Sequence, residues 1–203
     1  IPEAERNGSI VEIGQWVLRS ACEQAAKWQQ RGLDFGKVSV NVSAVQIAKS
    51  TLVSDVESAL KQSELAPEYL ELEITESVLV DNIDMALDIL SQLSKLGVTI
   101  ALDDFGTGYS SLNYLTKFPI DTLKIDRSFV TSAEFDSATK MILKNIYTLA
   151  KDLSMNVVAE GVETLEQLQI LASLQGRIIQ GYYYSPALAA TDAIKLLQSK
   201  AKI

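Results

Sequence analysis

The chain has 203 residues, of which 47% are hydrophobic and 22% charged, so it can form one sizeable core and is not a disordered chain. Its 26 Asp and Glu against 18 Lys and Arg give a formal net charge of −8, which disfavours nucleic-acid polymers and anionic membranes as partners. The chain has one cysteine and no histidine, which excludes a disulfide framework, a zinc finger, a Cys–His nucleophile pair and any His-based metal site. Acid, base and metal chemistry must come from carboxylates, amides and lysines.

The sequence contains no apolar run long enough to span a bilayer and does not open with a signal peptide. It therefore predicts a cytoplasmic location without direct membrane insertion. The first residues, Ile1, Pro2 and Glu3, include no initiator Met, which indicates a fragment of a longer polypeptide. Because no linker or long block of one charge divides the chain, we expect a single domain over residues 1–203.

Short apolar runs rich in β-branched residues alternate with segments of helical period. The runs predict six strands, at 38–42, 70–74, 98–102, 122–125, 156–159 and 178–182. Three residue pairs have the spacing of a capping box at a helix start: Ser9 with Glu12, Ser43 with Gln46, and Thr164 with Gln167.

Two apolar stripes predict which helix faces are buried. The first stripe consists of Ile10, Ile13, Val17, Ala21, Ala25 and Trp28, with Gly32 just beyond the expected helix end. The second consists of Ile142, Ile146, Leu149 and Leu153.

The alternation of strands and helices indicates an α/β fold with parallel strands and helical crossovers. Two architectures remain open, a (β/α) barrel and a doubly wound sheet. The first strand lacks a glycine-rich dinucleotide fingerprint and polar residues end nearly every strand, which favours a (β/α)8 TIM-like barrel. A full barrel needs eight strands and about 250 residues, so the first two strands, about 50 residues, are expected to be missing from this chain.

Polar side chains stand at the carboxyl ends of the predicted strands, where barrels build their active sites. They are Asn41, Glu73, Glu76, Asp103, Asp104, Lys124, Asp126, Glu160 and Glu163, and Gln180 lies within the sixth predicted strand. A ring of carboxylates without arginines requires a cation, because close like charges raise each other's pKa. Oxygen ligands favour Mg²⁺ or Mn²⁺, and the adjacent Asp103 and Asp104 could serve two ions. Two metals of this kind suggest phosphodiester hydrolysis.

Each residue also has a simpler interpretation. A single Asp or Glu after a strand is commonly a helix cap, and Glu76 and Glu163 could support loops. Lys124 could lie at the core edge with a solvated tip or form the Schiff base of a lyase or aldolase, although that chemistry needs no metal. Residues 106–108, Gly-Thr-Gly, predict a mobile loop over the site rather than a phosphate loop.

Six phrases closely resemble the EAL-domain cyclic di-GMP phosphodiesterases of bacteria, in the family's order and spacing. They are NVS at 41–43, ELEITES at 71–77, DDFGTGYSSL at 103–112, LKID at 123–126, AEGVET at 159–164 and QGY at 180–182. The resemblance implies a (β/α)8 barrel that linearises cyclic di-GMP to pGpG with two Mg²⁺ or Mn²⁺ ions and a metal-activated water.

The resemblance also assigns roles by position. It implies a set of metal ligands, namely Asn41, Glu73, Asp103, Asp104, Asp126 and Glu160. Lys124 matches the lysine near the nucleophilic water, and Asp104 and Glu160 complete the implied catalytic group, with Glu160 as general base or ligand. Glu76 matches the anchor of the loop after the Asp pair. Substrate contacts are implied for three residues, Asp126, Glu163 and Gln180.

The sequence departs from the family at several places. The Glu-Ala-Leu signature, with its metal-binding Glu and a nearby substrate-binding Arg, is absent. Residues 174–177, Leu-Gln-Gly-Arg, replace a common Leu-Gly-Cys-Asp, a change that is expected to be peripheral to catalysis. The alternative function is a catalytically inactive cyclic di-GMP receptor or regulatory domain. The resemblance further implies upstream sensory or GGDEF-type domains in the full protein, and a homodimer is an open alternative.

Overall fold

The structure, a computed structural model, describes residues 1–49, 51–107 and 115–199. The described residues fall into two compact units, one within residues 1–100 and 188–199 and one within residues 101–187. Gly108, in the predicted loop over the site, lies outside the described residues. Within the described ranges, no helix combines the length and apolar character needed to cross a bilayer.

Strands are found at all six predicted places. They are β1 (Val38–Asn41), β2 (Leu70–Thr75), β3 (Thr99–Phe105), β4 (Thr122–Ile125), β5 (Asn156–Ala159) and β6 (Ile178–Ile179). The helices of the described ranges are α1 (Pro2–Asn7), α2 (Ile10–Gln30), α3 (Ala44–Ala48), α4 (Leu52–Ser63), α5 (Glu76–Asp81), α6 (Ile83–Leu96), α7 (Arg127–Ser132), α8 (Ser137–Asp152), α9 (Leu165–Ser173) and α10 (Ala190–Gln198).

The strands follow the order β1-β2-β3-β4-β5-β6 in the sheet, and β1 with β2, β3 with β4, β4 with β5, and β5 with β6 pair in parallel. A doubly wound sheet reverses its strand order at a switch point, whereas a (β/α) barrel keeps the order of the chain. The observed order therefore confirms the barrel-type α/β fold.

Two strand boundaries differ from the prediction. The third strand continues to Phe105 and includes Asp103 and Asp104, which were expected to follow it. The sixth strand has only two residues, so Gln180 follows it instead of lying within it. Gln180 still continues the backbone pairing, since its N–H donates to Ala159 O at 2.8 Å and its carbonyl accepts from Val162 N at 3.1 Å.

The predicted buried face of α2 is confirmed at Ile10 and Ala25, but at the other positions it is displaced about the helix axis. The buried residues are Ile10, Gly14, Leu18, Cys22, Ala25 and Ala26, whereas Ile13 is 42% exposed. A Cβ on Gly14 would lie 2.1 Å from Gln46 Nε2, so the missing side chain lets α3 pack closely there. Small residues mark this interface, and a search for large apolar residues overlooks them.

The same error affects α8. It buries Thr139, Leu143, Ile146 and Ala150, so only Ile146 of the predicted stripe is correctly assigned. Ile142 is 46% exposed. Thr139 is fixed by the N-cap Asp136, which accepts from its backbone N–H at 3.0 Å and its hydroxyl at 2.6 Å.

Two of the three predicted capping boxes are confirmed. Both capping hydrogen bonds are present between Ser43 and Gln46 and between Thr164 and Gln167. The box at Ser9 is wrong, because Ser9 has a helical backbone and makes no side-chain cap. A capping side chain normally needs an extended backbone, and α1 ends so close before Ser9 that the residue is already helical.

Candidate active site

In the first unit, Asn41 and Glu73 are direct register partners at the carboxyl ends of β1 and β2. Alternation along β2 places Leu70, Leu72 and Ile74 on one face and Glu71 and Glu73 on the other. Glu73 is 6% exposed and Asn41 is exposed. The parallel pairing therefore brings a carboxylate and an amide, both predicted as metal ligands, to neighbouring positions on one polar face.

Glu71 lies on that polar face and was not predicted. It is 8% exposed and accepts from Ser39 Oγ at 3.2 Å and Thr99 Oγ1 at 3.5 Å, while Lys37 Nζ lies 4.0 Å away. The alternating Leu-Glu-Leu-Glu sequence of β2 could have predicted the position of Glu71, since residues two apart in a strand lie on the same face. These contacts satisfy a buried carboxylate at the amino-terminal part of the face that carries Glu73.

In the second unit, the Asp pair occupies an irregularity in the pairing of β3 with β4. Leu102 is in register with Leu123 and Phe105 with Ile125, so Asp103 and Asp104 together face the single position of Lys124. Asp104 has a left-handed backbone with φ 53, and Asp103 Oδ1 accepts from Asp104 N–H at 3.0 Å. This geometry is a β-bulge, a device that redirects side chains next to functional sites.

Lys124 is the centre of the second unit's polar cluster. Its side chain is 5% exposed, and its Nζ lies 2.6 Å from Glu160 Oε1 and 3.5 Å from Asp103 Oδ1. Glu160 follows β5, and its N–H donates to Ile125 O at 3.0 Å. Three neighbouring strands thus bring one ammonium group between two carboxylates at their carboxyl ends. The cation offsets the repulsion between these acids.

Asp126 caps α7 directly after β4. One carboxylate oxygen accepts from Ser128 N–H at 3.0 Å and also from the Ser128 hydroxyl. Burial by itself raises the pKa of Asp126, but the hydrogen bonds from Ser128 and the charge of Arg127 outweigh it and lower the pKa below its usual value. Asp126 is therefore held as a carboxylate by a local cap, whatever further role it has.

The other predicted residues lie at strand and helix ends. Glu163 is exposed, and its N–H donates to Gln167 Oε1 at 2.7 Å within the capping box of α9. Gln180 is exposed directly after β6. In the first unit, Glu76 is the first residue of α5.

Gly161 lies in the connection after β5, between Glu160 and Glu163. Its φ is 67, and a Cβ there would lie 2.4 Å from Arg127 Cβ and 3.4 Å from Arg127 Cα. Because the backbone fixes the position of the Arg127 Cβ, a change of rotamer cannot relieve the overlap at 2.4 Å. Glycine is required both for the left-handed conformation and for the close approach to α7.

The donor set fits a hard divalent cation. The predicted ligands offer carboxylate and amide oxygens, which suit Mg²⁺ and Mn²⁺, and Glu73 is an acid on a buried polar face. Across residues 1–49, 51–107 and 115–199, no three Asp, Glu, His or Cys side chains form a ready-made metal cluster. Within the second unit, Lys124 supplies the positive charge between Asp103 and Glu160.

Comparison with known proteins identifies close relatives. A family model described as the EAL domain matches residues 1–187. The bifunctional diguanylate cyclase/cyclic di-GMP phosphodiesterase MucR of Pseudomonas aeruginosa is 45% identical over 194 residues, which cover 96% of this chain and 28% of that protein. The cyclic di-GMP phosphodiesterase NbdA of the same organism is 43% identical, over 91% of this chain and 24% of its own length.

A solved structure has the same fold. It is a complex of the Pseudomonas MucR phosphodiesterase with c-di-GMP, with a TM-score of 0.91, 43% identity and coverage of 95% of this chain and 78% of that one. This chain spans only about a quarter of the length of the curated relatives MucR and NbdA, 28% and 24% respectively.

Replacing Lys124 by Met should lower the free energy of unfolding by about 3 kcal/mol, because it leaves two partly buried carboxylates without their cation. Urea denaturation of the two proteins measures the difference. Lys117→Met, at an exposed lysine, is the control and should change stability by less than about 0.5 kcal/mol. Equal losses in both variants would mean that the ion pairs of Lys124 do not stabilise the fold.

Gly161→Ala and Gly32→Ala form a matched pair, since both glycines have φ 67 but only Gly161 has heavy atoms within 4 Å of an added Cβ. The shared left-handed conformation should cost each variant about 1 kcal/mol. Overlap with Arg127 should cost Gly161→Ala about 2 kcal/mol more. Thermal or urea unfolding tests this, and similar losses at the two sites would show that Arg127 moves aside freely.

Proposed function

Because the chain belongs to the EAL domain family, we propose that it forms the catalytic part of a metal-dependent phosphodiesterase that hydrolyses cyclic di-GMP to linear pGpG. The observation that carries this proposal is the placement of Lys124 between Asp103 and Glu160. The relatives named as cyclic di-GMP phosphodiesterases, 45% and 43% identical, support it.

The proposed metal ligands are the oxygen-bearing residues at the carboxyl ends of β1, β2, β3 and β5, together with Asp126 after β4. They are Asn41, Glu73, Asp103, Asp104, Asp126 and Glu160. Two bound Mg²⁺ or Mn²⁺ ions would neutralise charge on the phosphodiester and lower the pKa of a bound water. The bulge at 103–104 suits this role, because it offers two consecutive carboxylates opposite one residue of β4.

Glu160 is proposed to accept a proton from the attacking water, and Lys124 is proposed to orient Glu160. Water forms a bond to phosphorus, and the bond from phosphorus to a ribose 3′ oxygen breaks. The released oxygen takes up a proton from solvent, so the products are one 5′-phosphate and one 3′-hydroxyl. Glu160 accepts the proton that the water loses, and Lys124, 2.6 Å from that carboxylate, fixes its orientation. A buried ammonium can also donate hydrogen bonds to a phosphate oxygen.

The remaining predicted residues are proposed to bind substrate and support the site. Gln180 and Glu163 are exposed polar groups on connections after β6 and β5, suited to hydrogen bonding with guanine edges. Asp126 is proposed to contact substrate as well as to cap α7. Glu76 is proposed to support the loop after the Asp pair, of which residues 108–114 lie outside the described ranges.

The proposal also covers the cellular location and the domain organisation of the full protein. MucR is named as bifunctional, with diguanylate cyclase activity besides the phosphodiesterase. We propose a cytoplasmic location and further sensory or GGDEF-type domains in the full protein, because this chain matches only 28% of MucR.

Asp103→Asn should lower the rate of cyclic di-GMP hydrolysis by the full-length protein at least about 100-fold, because it removes a charge from the proposed metal site. Chromatographic measurement of pGpG tests this, with circular dichroism to confirm the fold. Asp34→Asn, at an exposed carboxylate before β1, is the control and should retain the parental rate. Near-parental hydrolysis by Asp103→Asn would remove the Asp pair from the mechanism.

Removal of divalent cations with excess chelator should abolish hydrolysis, and added Mg²⁺ or Mn²⁺ should restore it. Ca²⁺ should not, because it prefers longer bonds and six to eight ligands. Undiminished turnover in chelator would contradict the metal-dependent mechanism. Tight binding of cyclic di-GMP without turnover in Mg²⁺ or Mn²⁺ would instead indicate a receptor.

A further inference from the structure

A cavity of about 830 Å³ lies at the amino-terminal ends of β5 and β6 in the second unit. Asn156 and Ile178, the first residues of these strands, line it. Glu160 lies beyond the other end of β5, so the cavity is separate from the proposed catalytic residues. Its volume falls within the range of about 300–1,000 Å³ that is typical of small-molecule sites.

The cavity is cationic although the chain as a whole carries a net charge of −8. Lys144, Lys151 and Arg177 line it, and Asp152 is the acidic residue among the lining groups. Lys144 and Lys151 lie seven residues apart on α8, hence on one face of that helix. Arg177 enters from the connection between α9 and β6, so two separate segments contribute positive charge to the same space.

Tyr147 lies between the two lysines on α8 and also lines the cavity. Its hydroxyl is buried and has no hydrogen-bond partner among the residues that the structure describes. Burial raises the pKa of Tyr147 to about 12, so the phenol keeps its proton at neutral pH.

The connection after α9 is built around this tyrosine. A Cβ on Gly176 would lie 2.5 Å from Tyr147 Oη, so the absence of a side chain at 176 makes room for the hydroxyl. Gly176 N–H donates to Leu171 O at 2.9 Å and Gln175 N–H to Ala172 O at 3.0 Å. These are the two hydrogen bonds of a Schellman motif, and they fix the backbone that presents Arg177.

The connection after α9 thus contributes Arg177 to the lining. Apolar side chains, Met155, Val157, Leu174 and Ile178, complete the lining.

We propose that this cavity binds a small phosphate-bearing anion of nucleotide size, at a site distinct from the catalytic residues. The guanidinium of Arg177 matches two phosphate oxygens, and the two lysines add charge. A phosphate group fills only a small part of 830 Å³, and the apolar lining suits the flat face of an attached base.

Isothermal titration calorimetry with inorganic pyrophosphate and with ATP, in metal-free buffer at about 0.15 M salt, tests the site. Both probes should bind, and ATP should bind more tightly if the apolar lining contacts the base. Arg177→Asp should weaken both at least about 10-fold, and Lys151→Gln about 3- to 10-fold. The control Lys140→Asp makes the same charge change at an exposed lysine of α8 outside the lining, and should change affinity less than about 2-fold.

Excess cyclic di-GMP should not displace either probe. The proposal is overturned if neither probe binds the parent protein at millimolar concentration, or if Arg177→Asp and Lys140→Asp weaken binding equally. It is also overturned if cyclic di-GMP competes, since the probes would then occupy the catalytic site. Should Arg177→Asp fail to fold, Lys144→Gln and Lys151→Gln, with Lys140→Gln as control, decide the same question.

Discussion

The buried ammonium group of Lys124 is the interaction on which the arrangement of the second unit depends. Burial of a lysine side chain that is only 5% exposed has a large desolvation cost unless carboxylates lie next to its ammonium group. Asp103 on β3 and Glu160 after β5 provide those acids, at 3.5 and 2.6 Å from Nζ. Three strands must therefore be parallel and in the observed register for the charge to be tolerated. The same requirement brings the proposed catalytic groups together.

Several features hold the proposed catalytic groups in place without taking part in the reaction. The bulge in β3 sets two residues against one on β4, so the Asp pair departs from the strict alternation of a strand. Ser128 fixes the Asp126 carboxylate at the start of α7. Gly161 allows the Glu160 connection to approach Arg127 closely. Each feature restricts a backbone segment, which is how a rigid scaffold lowers the cost of ordering a site.

The two ends of β5 have different chemical environments. Its carboxyl end leads to Glu160 and the pair of acids around Lys124. Its amino end opens on a cavity whose charged lining is mainly cationic. In barrel folds, loops at the carboxyl ends vary with the reaction, whereas the amino ends commonly serve stability. A phosphate-binding site at the amino ends would add a second ligand without altering the catalytic residues.

The features that the sequence predicted depend on residues close together in the chain. Strand positions followed from short apolar runs, and the caps at Ser43 and Thr164 involve partners only three residues away. The carboxylates at strand ends were recognised in the same way, since position along a strand is local. The motifs that resemble the EAL family also pointed to the family to which the chain belongs.

Features that join distant segments required the tertiary structure. The bulge at Asp103 and Asp104 exists only against β4, and the position of Lys124 between two acids requires both neighbouring strands. The buried face of α2 follows the close approach of Gln46 to Gly14, which large apolar residues do not mark. The burial of the Tyr147 hydroxyl likewise depends on Gly176, which comes from another segment. Local patterns determine which elements form, but burial and charge pairing depend on which segments the fold brings into contact.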